Sequence, residues 1–142
     1  MTADQIIARL GLAPHPEGGW YRQSWAAPVA TAEGRACATC IHFLLKAGER
    51  SHWHRVDGDE IWLYHAGAPL ILSLAADAAG PARDLELGPD LSRALPQRIV
   101  PAGHWQAARS LGAFTLVSCV VAPGFRFEGF ELAAPGFDIP RG

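Results

Sequence analysis

Short hydrophobic segments, separated by glycine and proline, make up most of the chain after its first helix-like stretch. Fifteen glycines and eleven prolines divide this part of the sequence into runs rich in β-branched, aromatic and leucine residues. Such runs are typical of strands. In chain order they read WYRQSW, ATCIHFLL, EIWLYHA, LILSLA, QRIV, FTLVSCVV and FEGFEL. Strands this short and this closely spaced predict an all-β domain, either a closed barrel or a sandwich.

The N-terminal residues show a different pattern, which predicts one helix. Thr2 and Gln5 have the spacing of a capping box, and Gly11 is a residue type that commonly ends a helix. Between them the apolar residues recur on one helical face, at Ile6, Ile7 and Leu10. We therefore expect a helix within residues 1–12.

Length and composition indicate a single domain. A chain of 142 residues with 49% hydrophobic residues can bury roughly two-thirds of the surface that its unfolded form exposes. The sequence has no internal repeat and no long linker. We expect one domain over residues 1–142, with the helix at 1–12 and the β-barrel at 18–135.

The charge pattern argues against two classes of partner. The formal net charge is −2 and the basic residues are scattered, so no positive face is available for a nucleic acid backbone. No run approaches the roughly 18 apolar residues of a membrane span, and Met1–Gly11 lacks the basic start of a signal peptide. We expect a cytoplasmic protein with neither nucleic acid nor membrane as a partner.

The cysteines favour free thiols. Cys37, Cys40 and Cys119 cannot all pair within one chain, which is not typical of a secreted disulfide framework. Cys37 and Cys40 form a C-x-x-C, but they stand in a strand-like run. Residues three apart on a strand point to opposite faces, so this pair is expected to diverge.

Candidate chemistry is concentrated near the middle of the chain. His52 and His54 are two residues apart, so on a strand both imidazoles would project from one face. Asp57-Gly58 favours a tight turn, after which Glu60 would lie on a strand paired beside the histidines. Two histidines and a carboxylate suit iron, manganese, nickel or zinc. The same residues would equally form a hydrogen-bonded polar cluster without metal.

The strand that carries Glu60 also predicts a ligand surface. Alternation places Glu60, Trp62 and Tyr64 on one face, where an indole and a phenol could stack on a sugar or a planar ring. Core filling is the alternative for these aromatic residues. His42, in an otherwise apolar run, either faces the same cavity or is an interior histidine with a hydrogen-bond partner.

The histidine-rich stretch resembles the first cupin motif, which has a glycine, H-x-H, a glutamate and, after six residues, another glycine. Here the interval after Glu60 is kept, whereas the turn between His54 and Glu60 is longer than in the motif. The second cupin motif, P-x-G-x-x-H, is similar to residues 101–106, with Gln106 in place of the last histidine. The resemblance implies a metal set of His52, His54, Glu60 and Gln106, in which the amide oxygen is the weaker ligand.

Five segments together resemble successive blocks of the cupin-5 family, also called DUF985. They are HPEGGWYR, RACATCIHFLL, HRVDGDEIWLYHAG, VPAGHWQ and APGFRFEGFELA. The resemblance implies a cupin-type jelly-roll β-barrel with a short N-terminal helix, usually a homodimer, related in fold to sugar epimerases and metal dioxygenases. The first block places Glu17 and Tyr21 where they could reach the barrel rim or a partner subunit.

Three functional hypotheses follow. In the first, the barrel mouth binds a small polar molecule, sugar-like or planar, with a divalent metal held by histidine and glutamate. In the second, a metal-free epimerase or isomerase uses His54 as base, supported by Glu60, with Tyr64 as acid. In the third, the pocket binds or senses a ligand without catalysis, so the sequence leaves open whether the protein is an enzyme. The candidate ligand-binding residues are Glu17, Tyr21, His42, Trp62 and Gln106.

Overall fold

A computed structural model describes residues 1–142 and contains one α-helix and eleven strands. Helix α1 spans Ala3–Leu10. The strands are β1 Ala13–Pro14, β2 Trp20–Ala26, β3 Thr39–Lys46, β4 Arg50–Val56, β5 Asp59–Gly67, β6 Leu70–Ala75, β7 Arg83–Leu87, β8 Gln97–Val100, β9 Trp105–Ser110, β10 Phe114–Ala122 and β11 Phe130–Leu132. A 3₁₀ turn, Phe127–Gly129, precedes β11. The predicted all-β class with a short N-terminal helix is confirmed.

Helix α1 begins and ends as the sequence predicts. The Thr2 hydroxyl accepts a hydrogen bond from the Gln5 backbone N–H, and the Gln5 side chain accepts one from the Thr2 N–H. Gly11 adopts a left-handed conformation, with φ of 66°, and ends the helix. Ile6 packs with Leu44, which seals the helix onto the outside of β3. The helix is neither long nor apolar enough to cross a membrane.

The strands form two sheets. The first has six strands in the order β1-β2-β3-β10-β5-β8, and the second has five in the order β11-β4-β9-β6-β7. Apolar side chains of both sheets pack in one interior, as expected of a jelly roll. The hydrophobic runs predicted as strands become strands, except that the first half of FEGFEL is the 3₁₀ turn. The hydrophobic runs do not include β1, β4, β7 and β9, of which β4 is the strand expected to carry His52 and His54.

The expected pairing of the Glu60 strand beside the histidine strand is wrong. Strand β4 pairs with β11 and β9, whereas β5 pairs with β10 and β8. Asp57 and Gly58 therefore form a corner between the two sheets. A Cβ at Gly58 would lie 2.7 Å from the carbonyl oxygen of Pro123, so the corner packs closely on the end of β10. The Arg35 guanidinium fixes the same corner by donating two hydrogen bonds to Asp57.

The interior is filled with hydrocarbon at one end only. The largest apolar cluster occupies the part of the interior near β6 and β7, and it comprises Phe43, Leu45, Trp62, Leu70, Leu72, Leu74, Leu87, Val100, Ala108, Val117 and Cys119. Toward β11 and the loop before β2, buried polar side chains replace it. They include His15, His54 and Glu60. This division positions a pocket inside the sandwich.

The cysteines are free thiols, as the sequence predicts. Cys37 is exposed, Cys40 is half-buried and Cys119 is buried in β10. Cys119 lies where the apolar cluster gives way to the polar end of the interior. Burial raises the pKa of its thiol well above the ordinary value, so Cys119 is a neutral wall residue.

Two valines on the inward face of β10 allow the two ends of the interior to be compared. Val117 is fully buried in the apolar cluster, and Val121 is 5% exposed and lines the pocket. Val117→Ala should lower the free energy of unfolding by about 2–3 kcal/mol, because it leaves a new cavity as well as losing apolar burial. Val121→Ala only widens an existing space and should cost about half as much. Urea denaturation of both variants measures the difference, and equal losses would contradict the division.

Candidate functional site

A pocket of about 440 Å³ lies between the two sheets at the polar end of the interior. Its walls carry residues from β2, β3, β4, β5 and β10, from the loop before β2, and from the segment after β10. The polar lining side chains are His15, Glu17, Tyr21, Arg22, Gln23, Thr39, His54, Glu60 and Cys119, and the apolar ones include Ile41, Val56, Val121, Phe125 and Phe127. The pocket therefore combines one polar region with aromatic and aliphatic walls.

His54 and Glu60 meet in this pocket from opposite sheets. His54 is 2% exposed and Glu60 is 6% exposed. The imidazole and the carboxyl thus share one concavity, although they come from facing strands across the corner rather than from paired strands. Ionisable groups buried to this degree need polar partners, since burial without them is costly.

Glu17 is brought to the same place by a glycine loop. Gly18 and Gly19 both have positive φ, at 107° and 78°, which favours glycine. A Cβ at Gly18 would collide with the carbonyl oxygen of Arg50, so the loop fits tightly against β4. The His52 backbone N–H donates to the Glu17 carbonyl at 2.8 Å and holds the loop there. The Glu17 side chain consequently points inward and is only 9% exposed.

The Glu17 carboxyl lies between two histidine rings. Its Oε1 is 3.2 Å from His15 Nδ1 and its Oε2 is 3.4 Å from His54 Nε2. The Ser51 hydroxyl donates a short hydrogen bond to Oε2. One carboxyl group therefore joins the loop before β2 to strand β4.

The tautomers of both rings follow from their other contacts. His54 Nδ1 is 2.8 Å from the carbonyl oxygen of His52, which can only accept, so Nδ1 carries the proton and Nε2 presents a lone pair to Glu17. His15 Nδ1 accepts the Glu17 backbone N–H at 3.1 Å, so it too presents a lone pair. Two lone pairs facing one carboxyl favour the protonated acid.

Burial shifts the pKa of each of these groups in the direction of neutrality. It raises the pKa of Glu17 to about 8, against the opposing effect of the Ser51 hydrogen bond. It lowers the pKa of His15 to about 4, with a further contribution from the neighbouring His54. Burial also lowers the pKa of His54. At neutral pH Glu17 holds a proton while both rings are uncharged.

The Gln106 amide holds Glu60 in place, and a hydrogen bond from Trp62 determines which way this amide is turned. The Trp62 indole N–H can only donate, and it donates to Gln106 Oε1 at 2.8 Å. The Gln106 amide nitrogen therefore points to Glu60 and donates to its Oε1 at 2.8 Å. Burial raises the pKa of Glu60 to about 7, an effect that the His54 interaction opposes and the nearby Glu17 increases.

The metal set expected from the sequence is not assembled. A β-bulge between Ser51 and His54 turns His52 away, so the expectation that both histidines share a face is wrong. His52 Nε2 is instead 2.9 Å from the carbonyl oxygen of Ala134, and the Gln106 oxygen accepts the Trp62 N–H. No three His, Cys, Asp or Glu side chains are grouped so as to hold a metal ion. The residues present therefore do not fit resident iron, manganese, nickel or zinc.

Three other predicted site residues lie outside the pocket. The Tyr64 hydroxyl donates to the Gly67 carbonyl at 2.6 Å, and its ring packs against the apolar cluster. Trp62 is part of that cluster. His42 lies on the opposite side of β3 from the pocket residues Thr39 and Ile41. Alternation along a strand can place a side chain on a face, but it does not tell at which end of the interior the cavity opens.

The candidate residues from the sequence did not include several residues that line the pocket. His15 precedes Glu17 by two residues, and this H-x-E spacing was the available signal. Phe125 and Phe127 line the pocket with ring centroids 5.0 Å apart. They form an aromatic wall because the chain after β10 folds back over the polar end of the sandwich.

Comparisons with known proteins agree with this architecture. A family model described as the cupin superfamily (DUF985) matches residues 4–133. A crystal structure of a protein from Shewanella oneidensis is 39% identical, with a TM-score of 0.89, over 94% of this chain and 85% of that one. A hypothetical protein from Leishmania major is 34% identical, with a TM-score of 0.85, over 96% and 90%.

More distant similarity concerns the fold alone. Oxalate decarboxylase from Bacillus subtilis is 15% identical, with a TM-score of 0.62, and the match covers 84% of this chain and 29% of that one. Among curated proteins, none matches the chain. Because one fold hosts unrelated chemistries, a likeness at this identity carries no reaction with it.

The raised pKa of Glu17 predicts a pH dependence of stability. Between about pH 4.5, where an unfolded glutamate ionises, and about pH 8 the folded protein binds one more proton at Glu17 than the unfolded chain. Its contribution to stability is therefore present at low pH and is lost as the pH rises through this window. Glu17→Gln removes that loss, so the stability of the variant relative to wild type should increase by up to about 1.4 kcal/mol per pH unit.

Urea denaturation of both proteins from pH 5 to pH 9 measures this difference. Ser51→Ala is the matched variant, because it removes a hydrogen bond that lowers the pKa of Glu17. It should move the upper end of the window to higher pH. A pH-independent difference between wild type and Glu17→Gln would show that Glu17 is ionised in the folded protein.

Proposed function

This chain belongs to the DUF985 family of the cupin superfamily, and from that premise we propose that its pocket binds a small polar molecule and exchanges protons with it without a metal. One observation carries the proposal: Glu17, His54 and Glu60 are all buried and line a single pocket, where burial raises the pKa of both carboxyls toward neutrality. Groups with pKa values near neutrality inside a cleft are typical of acid–base sites.

The pocket chemistry favours an uncharged, hydroxylated ligand. A volume of about 440 Å³ is within the usual range for small-molecule sites. The Tyr21 hydroxyl and the Gln23 amide line the pocket and make no hydrogen bond within the chain, so they are free to bind hydroxyl or carbonyl groups. The Phe125 and Phe127 wall suits the apolar face of a sugar or a planar ring. An anionic group beside Glu60 would be disfavoured.

The two carboxyls suit opposite roles in proton transfer. Glu60, with a pKa of about 7, is present in part as carboxylate and takes a proton from the carbon next to a carbonyl. Glu17, with a pKa of about 8, donates its proton to the carbonyl oxygen, which gives a neutral enediol. The protonated Glu60 then gives its proton to the former carbonyl carbon, and the Glu17 carboxylate takes the proton of the neighbouring hydroxyl, which regenerates both groups and moves the carbonyl by one carbon, an isomerisation.

His54 supports this exchange rather than acting as the base. Its Nε2 lone pair lies 3.4 Å from Glu17, where it can accept the proton and return it. Burial lowers its pKa, which makes it a weaker base than Glu60. The expected acid, Tyr64, is engaged with the Gly67 carbonyl outside the pocket, so the geometry favours Glu17 in that role.

Solvent-exchange measurements test the proposal without knowledge of the natural substrate. The protein is incubated in D₂O with small hydroxyaldehydes and hydroxyketones, such as glyceraldehyde and arabinose. Proton NMR then records the loss of the signal from the carbon next to the carbonyl. We expect exchange above the protein-free rate, and a decrease of about 10²-fold or more in Glu60→Gln and Glu17→Gln. Glu128→Gln changes an exposed carboxyl and is the matched control.

The outcomes separate catalysis from simple binding. Ligand-observed NMR measures binding in the same samples, and the glutamine variants should keep it because an amide preserves the shape of the pocket. Binding without exchange in the wild type would contradict the catalytic part and leave a ligand-binding module. Neither binding nor exchange with any member of the panel would overturn the proposal for this ligand class. Homodimerisation, which the family resemblance implies, stays a prediction.

A further inference from the structure

Two arginines face each other on the second sheet without any partner. Arg50 on β4 is directly opposite Arg109 on β9. Like charges in this position are destabilising. Neither guanidinium forms a hydrogen bond or an ion pair. By contrast, ion pairs with carboxylates are formed by Arg35, Arg55, Arg93, Arg126 and Arg141. The repulsion between Arg50 and Arg109 is thus not relieved by a direct hydrogen bond or ion pair, although the Arg109 charge helps to lower the pKa of the neighbouring Asp84.

A second pocket, of about 310 Å³, lies beside this pair. One side is formed by β4 and β9, and the other by the C-terminal segment that crosses the outside of the sheet. Arg50, Arg109, Asp138 and Arg141 are among its lining residues. The pocket is separate from the Glu17 site, although Ser51 contributes to its wall.

The C-terminal segment places a third guanidinium at this pocket. Asp138 accepts the Trp53 indole N–H at 2.8 Å, which fixes the segment to the sheet. The Arg141 guanidinium lies over the Trp53 ring, 5.6 Å from its centroid. It donates to Asp138 at 3.0 Å, to Asp84 at 3.2 Å and to Ser73 at 3.3 Å. Arg141 is therefore held in place before any ligand arrives.

We propose that this second pocket binds a doubly charged oxyanion of the phosphate class. Three guanidiniums line it, and the two carboxylates nearest to them, Asp138 and Asp84, are already hydrogen-bonded by Trp53, Ser73 and Arg141. The planar fork of arginine matches the geometry of phosphate oxygens. An anion between Arg50 and Arg109 would turn their mutual repulsion into attraction to a shared ligand. Because this proposal concerns a different cavity, it does not depend on the chemistry proposed for the first.

Titration with inorganic phosphate tests this site in the full chain. Isothermal calorimetry should detect binding, and phosphate should raise the melting temperature more than sodium chloride at equal ionic strength. Arg50→Gln and Arg109→Gln should each weaken phosphate binding about tenfold or more, since each removes charge-assisted hydrogen bonds. Arg83→Gln is the matched control, because Arg83 is exposed on β7 of the same sheet, forms no ion pair and lies outside this pocket.

A second readout distinguishes a lost site from a damaged fold. In chloride alone, Arg109→Gln should melt at the same or a higher temperature than wild type, because the opposed charges are relieved. A variant that both melts higher and no longer responds to phosphate supports the site. Phosphate binding that is unchanged in both variants, or equally weakened in Arg83→Gln, overturns it. So does stabilisation by chloride equal to that by phosphate.

Discussion

The Glu17 carboxyl is buried where the loop before β2 meets β4, and the polar end of the interior is arranged around it. His15 and His54 turn lone pairs toward it and Ser51 donates to it. The group therefore stays protonated, because an ionised carboxylate would be costly to bury there. Burial likewise lowers the pKa of both rings and keeps them uncharged. Removal of any one partner would leave the others without the proton or the lone pair that they face.

This constraint explains why the pocket is polar although it lies inside a hydrophobic sandwich. The apolar cluster ends at Trp62 and Cys119. The Trp62 indole N–H donates to the Gln106 side-chain oxygen, and the Gln106 amide N–H donates to Glu60. Each buried polar atom of this chain of contacts has a partner, which is the condition for a stable polar network in a core. A core tryptophan and an amide, neither of which lines the pocket, thereby orient the Glu60 carboxyl, which does.

Departures from regular strand geometry separate this site from the metal centre that the motif resemblance implies. The β-bulge after Ser51 adds one residue to β4, so His52 leaves the face that His54 keeps. The His52 ring is instead hydrogen-bonded to the carbonyl oxygen of Ala134 on the outside of the sheet. The same region of β4 contributes Arg50 to the outer pocket and His54 to the inner one. One irregular strand thus supplies two different chemical environments.

The sequence by itself determined the local features: the capped helix, the hydrophobic strand runs and the free cysteines. It also predicted that His54 and Glu60 would share one cavity, as they do. The local features depend on residue type and short-range periodicity, which are readable along the chain. Only the tertiary structure decided that Asp57 and Gly58 cross between sheets, that His52 faces outward, and that the Glu17 carboxyl lies between His15 and His54. Sheet assignment and bulges depend on contacts between residues far apart in sequence, such as Gly58 with Pro123. A pKa depends likewise on burial, which no run of neighbouring residues specifies.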